Sequence, residues 1–338
     1  MALAIFALLT LITPPASAAT WYAGEFLAVG TGPAAISQGG AVIASVSGPD
    51  AIYWNAAGLG KTGSTAFTLE HADRFGGIVK HDAFAGVWPL QDANLGVSLF
   101  RGAIDGIIGA DSTTLPDPTA PVSPENMPDP DKTRIFSNTD YVLHIAYGRH
   151  VRPNLRVGGS VKLISRTIDG VGAFGYGLDL GTQYDLRKNL TLAVAAHDLT
   201  ATRISWDTDR TDIIHPTIHV GVSWTNAVRR DIRLTTSAGA VYGTTDAGYG
   251  GLSPLKLGHE DNPAVAGIEV AWREMVMLRL GSEDLRGMLG PGEGRLTAGV
   301  GLRTGYRWIP GVKRLGIDLS WMQHTLDNSY RLGAVIEF

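Results

Sequence analysis

The chain contains no cysteine. That excludes disulfide staples and Cys-ligated metal, and it removes the acylated cysteine of a bacterial lipoprotein. Charge is scarce as well. Asp, Glu, Lys and Arg make up 18% of the 338 residues, where a soluble domain is nearer about a quarter. The net charge of −4 gives no basic footprint for nucleic acid. Past the N-terminus there is no apolar run long enough to cross a bilayer as a helix. Glycine is plentiful, at 43 residues, and 44% of the chain is hydrophobic. Low charge, much glycine and no helical span point to a membrane barrel rather than a helical membrane protein.

Residues 1–18 read as a secretory signal. An apolar core is followed by Pro14-Pro15 and by the small-residue cleavage site Ala16-Ser17-Ala18, although the usual basic residue before the core is missing. Residues 19–60 are rich in Gly and turn residues, and too apolar for a free linker. Ala34 to Ala44 has the makings of a short helix, which Gly39-Gly40 weakens.

From Ser64 onward the chain alternates. Its last stretch is the clearest: Tyr330, Leu332, Ala334, Ile336 and Phe338 fall on one side of a strand, Arg331, Gly333, Val335 and Glu337 on the other. The same pattern predicts strands near 64–71, 81–89, 94–102, 138–149, 154–167, 172–185, 189–198, 215–225, 230–242, 263–273, 276–283, 293–304, 312–323 and 328–338. Fourteen is an even number, and the predicted fold is all-β, a 14-stranded antiparallel transmembrane barrel whose last strand closes on the first. Short and long connections mostly alternate, as expected of periplasmic turns and external loops. Strands predicted to run toward the short turns end in aromatics: Trp88, Tyr147, Tyr184, Trp224, Trp272, Tyr306 or Trp308, and Phe338. Rings with an apolar body and a polar tip suit a membrane interface.

The faces agree with this register. Leu155, Val157, Val161 and Leu163 would meet lipid while Arg156, Ser160, Lys162 and Arg166 point inward. Val276, Leu278 and Leu280 oppose Arg279 and Glu283; Leu315, Ile317, Leu319 and Trp321 oppose Asp318 and Ser320. The predicted lumen set also holds Asp179, His219, Arg233, Glu269, Arg295 and Arg303, whose opposite charges are expected to pair. Gly102 to Ser137 reads as a long external loop rich in Pro and Asp, either a mobile surface loop or a partner-binding lid.

Three segments carry a family resemblance. The first runs through Glu25-Phe26-Leu27, Gly30-Thr31-Gly32-Pro33, Gly39-Gly40-Ala41 and Ala51-Ile52-Tyr53-Trp54-Asn55-Ala56-Ala57-Gly58-Leu59. The second is Asp198-Leu199-Thr200-Ala201-Thr202-Arg203-Ile204-Ser205-Trp206 with His215-Pro216-Thr217, and the third is the closing strand. Together they resemble PorV-type outer-membrane proteins, related to the FadL family of hydrophobic-compound transporters. The family usually has Asn-Pro-Ala-Gly-Leu where this chain has Asn55-Ala56-Ala57-Gly58-Leu59. The resemblance implies a bacterial outer-membrane location with both termini periplasmic, and a hatch formed by residues 19–60 inside a barrel of residues 61–338. It implies Phe26, Leu27, Ile52, Tyr53, Trp54 and Asn55 as hatch and ligand candidates.

Two functions compete on this reading, beside a third option, a purely structural barrel. A PorV-like barrel would handle secreted proteins with secretion-system components, as in type IX secretion. A FadL-like barrel would take up hydrophobic or amphipathic small molecules. Outer-membrane lipid is a partner in both, and neither needs a cofactor. Gly30-Thr31-Gly32-Pro33-Ala34-Ala35 lacks the strand and βαβ unit of a dinucleotide site. His215 and His219 lack a third metal ligand nearby. His197, Asp198 and Ser205 lack the strand–elbow–helix context of a hydrolase, so no enzyme is expected.

Overall fold

The structure, a computed structural model, describes residues 24–109, 115–117, 119, 123, 126–243, 264–285, 295–305, 310–324 and 327–338. Residues 1–18, read above as a signal, and the aromatics Tyr306 and Trp308 lie outside them.

Sixteen strand segments are present: β1 (Ala66–Arg74), β2 (Val79–Pro89), β3 (Asn94–Gly109), β4 (Arg134–Arg152), β5 (Leu155–Ile168), β6 (Val171–Arg187), β7 (Leu190–His197), β8 (Thr202–Trp206), β9 (Thr211–Ile214), β10 (Thr217–Arg229), β11 (Ile232–Gly243), β12 (Ala264–Trp272), β13 (Val276–Ser282), β14 (Leu296–Gly305), β15 (Arg314–Met322) and β16 (Ser329–Glu337). Fourteen of them close into one antiparallel ring; β8 and β9 form a hairpin added to the upper part of β6. The ring shuts where β1 pairs with β16, from Ala66↔Glu337 to Asp73↔Tyr330. Just beyond, the Phe338 amide donates to the Thr65 carbonyl at 2.8 Å. No strand of the ring is left with an open edge at this seam, the condition a sheet must meet in lipid.

Each predicted strand is present, with ends shifted by a few residues. The hairpin β8–β9 is the part that alternation did not foresee. The predicted loop at 102–137 is shorter than expected. β3 and β4 continue their ladder to Gly109↔Arg134, past an irregularity between Ile104 and Ile107 where Gly106 takes φ of 72°.

The predicted faces are the observed ones. Leu278 is 56% exposed and Arg279 is 4%. Val161, Leu319 and Leu332 are exposed, while Lys162, Asp318 and Arg331 are buried. Exposed apolar residues that a soluble protein would hide thus form the outer surface. Tyr147, Tyr184, Trp224, Trp272 and Phe338 stand exposed at the short-turn end. At the seam Phe67 meets Trp88 (5.4 Å) and Phe338 (5.9 Å) edge-on, tying first, second and last strands on the outside.

Inside the ring, residues 24–61 form a plug. It contains two one-turn helices, α1 (Pro33–Ile36) and α2 (Ala51–Trp54), and 3-10 turns at Gly48–Asp50 and Ala56–Lys61. The helix expected over 34–44 ends at Ile36. Gly39 and Gly40 take φ of 64° and 69°, a left-handed backbone that turns the chain instead. Ile36, Ile52 and Leu59 are fully buried. Burying each such side chain stabilises by about 1.5–3 kcal/mol.

The plug lies flush on the wall because the wall is glycine where they touch. A Cβ on Gly158 would sit 2.3 Å from the Ala56 carbonyl carbon, and one on Gly281 2.2 Å from that of Gln38. Gly96, Gly148, Gly181, Gly267 and Gly299 repeat the pattern around the ring. Polar ties complete the seal. Asn55 donates to the Ile43 and Thr182 carbonyls and accepts from the Ala57 amide; Gln183 donates to Ile43 and Val46; Asn94 donates to Leu59.

Candidate functional site

A pocket of about 300 Å³ runs along one side of the plug, between it and the wall formed by β16, β1, β2 and β3. Phe26, Leu27 and Phe100 line it in the midsection, and Thr62, Ser64 and Glu337 line it at the short-turn end. It therefore follows the plug along the lumen rather than crossing it.

Phe100, in this lining, begins a buried row of cross-strand neighbours beside the pocket. Phe100, Val142 and Ile164 stand next to one another on β3, β4 and β5, and Ala173 and Ile204 continue the cluster on β6 and β8. Phe26, Leu27, Trp206 and Ile214 pack against this row. The Arg166 guanidinium caps it, 4.2 Å over the Phe26 ring and 5.6 Å from Trp206, while its Nε donates to Asp140 at 2.6 Å.

The turn that starts β8 explains one resemblance segment. Asp198 and Ala201 both take φ of 54°, and the Asp198 carboxylate accepts from Thr202 Oγ1 at 2.5 Å and Lys162 Nζ at 2.8 Å. Lys162 also reaches Asp179 at 3.0 Å. The ladder of β7 on β6 is interrupted there, and β8 resumes pairing further along β6.

The plug side of the pocket is held by one ion pair. Arg331 Nη1 bonds Glu70 at 2.7 Å and the Gly30 carbonyl at 2.9 Å; its Nη2 bonds the Val29 carbonyl at 2.6 Å. Glu70 in turn accepts from the Gly32 amide at 2.7 Å. A second group, Arg279 with Glu269 and Asp318, and Arg303 with Asp318, stands beside it. Buried charges of this kind must be paired to persist. The expected pairing of lumen charges is thus what the interior displays: Asp179, Arg233, Glu269 and Arg303 all sit in such groups. The His219 ring meets that of His197 edge-on at 4.6 Å, and Arg295 meets Glu283 at the rim at 3.6 Å.

The six hatch candidates divide. Phe26, Leu27 and Tyr53 line the pocket. Tyr53 donates to the Leu27 carbonyl at 2.5 Å, and burial raises its phenol above the ordinary range. Ile52, Trp54 and Asn55 instead hold the plug together. Ile52 fills the space over Gly96; Trp54 lies against Gly30 and Gly40 and donates to Thr31; Asn55 ties plug to wall. Sequence reading missed Asp50, Phe100 and His144 in the lining and did not connect Glu70 to Arg331. The last pair was accessible, since both have the inward parity of their strands. Asp50 was not, because an irregular segment has no parity. Its carboxyl is raised to about 7, first by burial and then by the charges of Glu70 and Asp318.

A closed 14-stranded barrel with an N-terminal plug is the architecture these observations define. No family model and no curated protein sequence matches the chain. Solved structures do. It is similar to the CymD monoaromatic hydrocarbon channel, with a TM-score of 0.57 at 13% identity over 91% of this chain and 97% of that one. The Pseudomonas putida toluene transporter TodX gives 0.54 at 13% identity over 91% and 97%. A Pseudomonas aeruginosa FadL homologue gives 0.50 at 10% over the same shares. The fold is FadL-like. None of these three is a PorV-type secretion component, so that half of the expectation finds no support here.

Proposed function

We propose that this protein is a non-enzymatic outer-membrane barrel that takes up small hydrophobic or amphipathic molecules past its plug. The observation that carries the reading is the pocket beside the plug: apolar at Phe26, Leu27 and Phe100, and continuous with the short-turn end at Thr62 to Ser64. Ligand sites are commonly preformed concave spaces with an apolar lining and few polar groups. The likeness to hydrocarbon channels supports the same reading. Residues 19–60 serve as the hatch, the short turns and the C-terminus face the periplasm, and Phe26, Leu27 and Tyr53 meet the solute.

Ala83 and Thr68 line the pocket from β2 and β1. Replacing either by Phe fills it. Bacteria carrying such variants should lose the gain in uptake of radiolabelled toluene that the unaltered protein confers, with heat-modifiable mobility on gels confirming that the barrel still forms. Uptake undiminished in both folded variants would refute the route.

Handling of secreted proteins draws on one observation, the exposure of Ile108 and Ile135 on the β3–β4 ribbon. Replacing both by Ser would abolish co-purification of a protein partner on that reading and leave toluene uptake intact.

A further inference from the structure

We propose that the pocket favours small molecules with an apolar body and a cationic amine, and turns carboxylates away, with Asp50 as the group that meets the amine. This rests on the uptake reading and names the solute class for the same pocket.

The argument is a balance of charges. Glu70 is held by Arg331 at 2.7 Å. Asp318 is held by Arg279 at 2.7 Å and by Arg303 at 2.5 Å. Arg279 continues to Glu269 at 2.7 Å, Glu269 to Arg233 at 3.6 Å, and Arg233 to Glu274 at 2.7 Å. That chain alternates three arginines with three carboxylates and is neutral. Asp50 is left over. It precedes α2 yet its side chain caps none of the amides, and among the described residues its carboxylate makes no hydrogen bond or ion pair. Gly32 leaves it room: a Cβ there would lie 2.5 Å from Asp50 Oδ2, so the facing leg of the plug is glycine where the carboxylate stands.

The rest of the lining offers an anion no uncommitted lysine or arginine. It contains no lysine, and its one arginine, Arg303, is committed to Asp318. Glu337 adds a further carboxylate at the lower mouth. An entering carboxylate would lose water without gaining a cation, which is costly in a partly dry site. An ammonium would gain a charge-assisted bond to Asp50 while its apolar body rested on Phe26, Leu27 and Phe100.

The test uses three probes of nearly one shape, 2-phenylethylamine, 2-phenylethanol and phenylacetate, titrated by calorimetry into the full-length protein in detergent at pH 8. The amine should bind about tenfold tighter than phenylacetate, a modest figure for one partly screened charge contact, with the alcohol between them. In Asp50→Asn the amine should fall to within about twofold of the alcohol measured on the same variant. Phenylacetate binding as tightly as the amine, or an amine preference that survives Asp50→Asn, would overturn the proposal. The Ala83→Phe variant separates the two readings. If the alcohol binds and this variant abolishes it, while no order by charge is seen, the pocket stands and the amine preference falls. If no probe binds the unaltered protein, both fall.

Discussion

Leu278 and Arg279 are adjacent in the chain and live in different solvents. One faces outward among exposed leucines; the other is buried between Glu269 and Asp318. Leu278→Arg would put a charge on the lipid face at a cost of about 2–4 kcal/mol near the midplane. Arg279→Leu leaves Asp318 with Arg303 and Glu269 with Arg233. Membrane assembly, read as the heat-modifiable fraction, should therefore collapse in the first variant and persist in the second. Asp50 gives a pH dependence at the same scale. Facing it are the carboxylates of Glu70 and Asp318, which raise its pKa, and the guanidiniums of Arg303 and Arg279, which lower it less. With a carboxyl at about 7 when folded and 3.8 when free, the native state holds a proton the unfolded chain releases. Stability is thus highest below about 4 for this group and declines as pH rises to about 7. Melting of Asp50→Asn in detergent should exceed that of the unaltered protein at pH 8 and match it at pH 4. The inward residues were legible because the strand period is two; Asp50 was not, because its place depends on how the plug folds back upon Gly32.

At the scale of elements, the strands were readable and the hairpin β8–β9 was not. β8 has five residues and β9 four, around the polar turn Asp207 to Arg210. No periodic pattern survives at that length. What sets the pair is tertiary: Lys162 and Asp179 fix the Asp198 turn from neighbouring strands, and Ile204 completes a row begun by Phe100. The glycines tell the opposite story. Their abundance was plain in the sequence, and their inward parity was available, but their purpose needed the plug in place. Gly158→Val should unseat the segment around Ala56 and raise single-channel conductance in planar bilayers. Gly305→Ala, with open space about it, should behave as the unaltered protein does.

For the whole molecule, the sequence announced a ring of fourteen strands with an irregular N-terminal segment, and the structure agrees. The six hatch candidates came from a resemblance, and only the fold could separate those that line the pocket from those that brace the plug. The described chain begins inside the lumen, with Gly24 against Ile214 and Phe26 beneath Arg166. Deleting residues 21–60 should convert a narrow path into a wide one, seen as increased leakage of hydrophilic sugars from reconstituted vesicles; unchanged leakage would show that these residues do not obstruct the bore.

The grip of Arg331 on Val29 and Gly30 ties two tasks to one strand. The hoop that β16 completes encircles the segment that β16 also clasps. A chain cut short of β16 would forfeit both the ring and its stopper at one stroke.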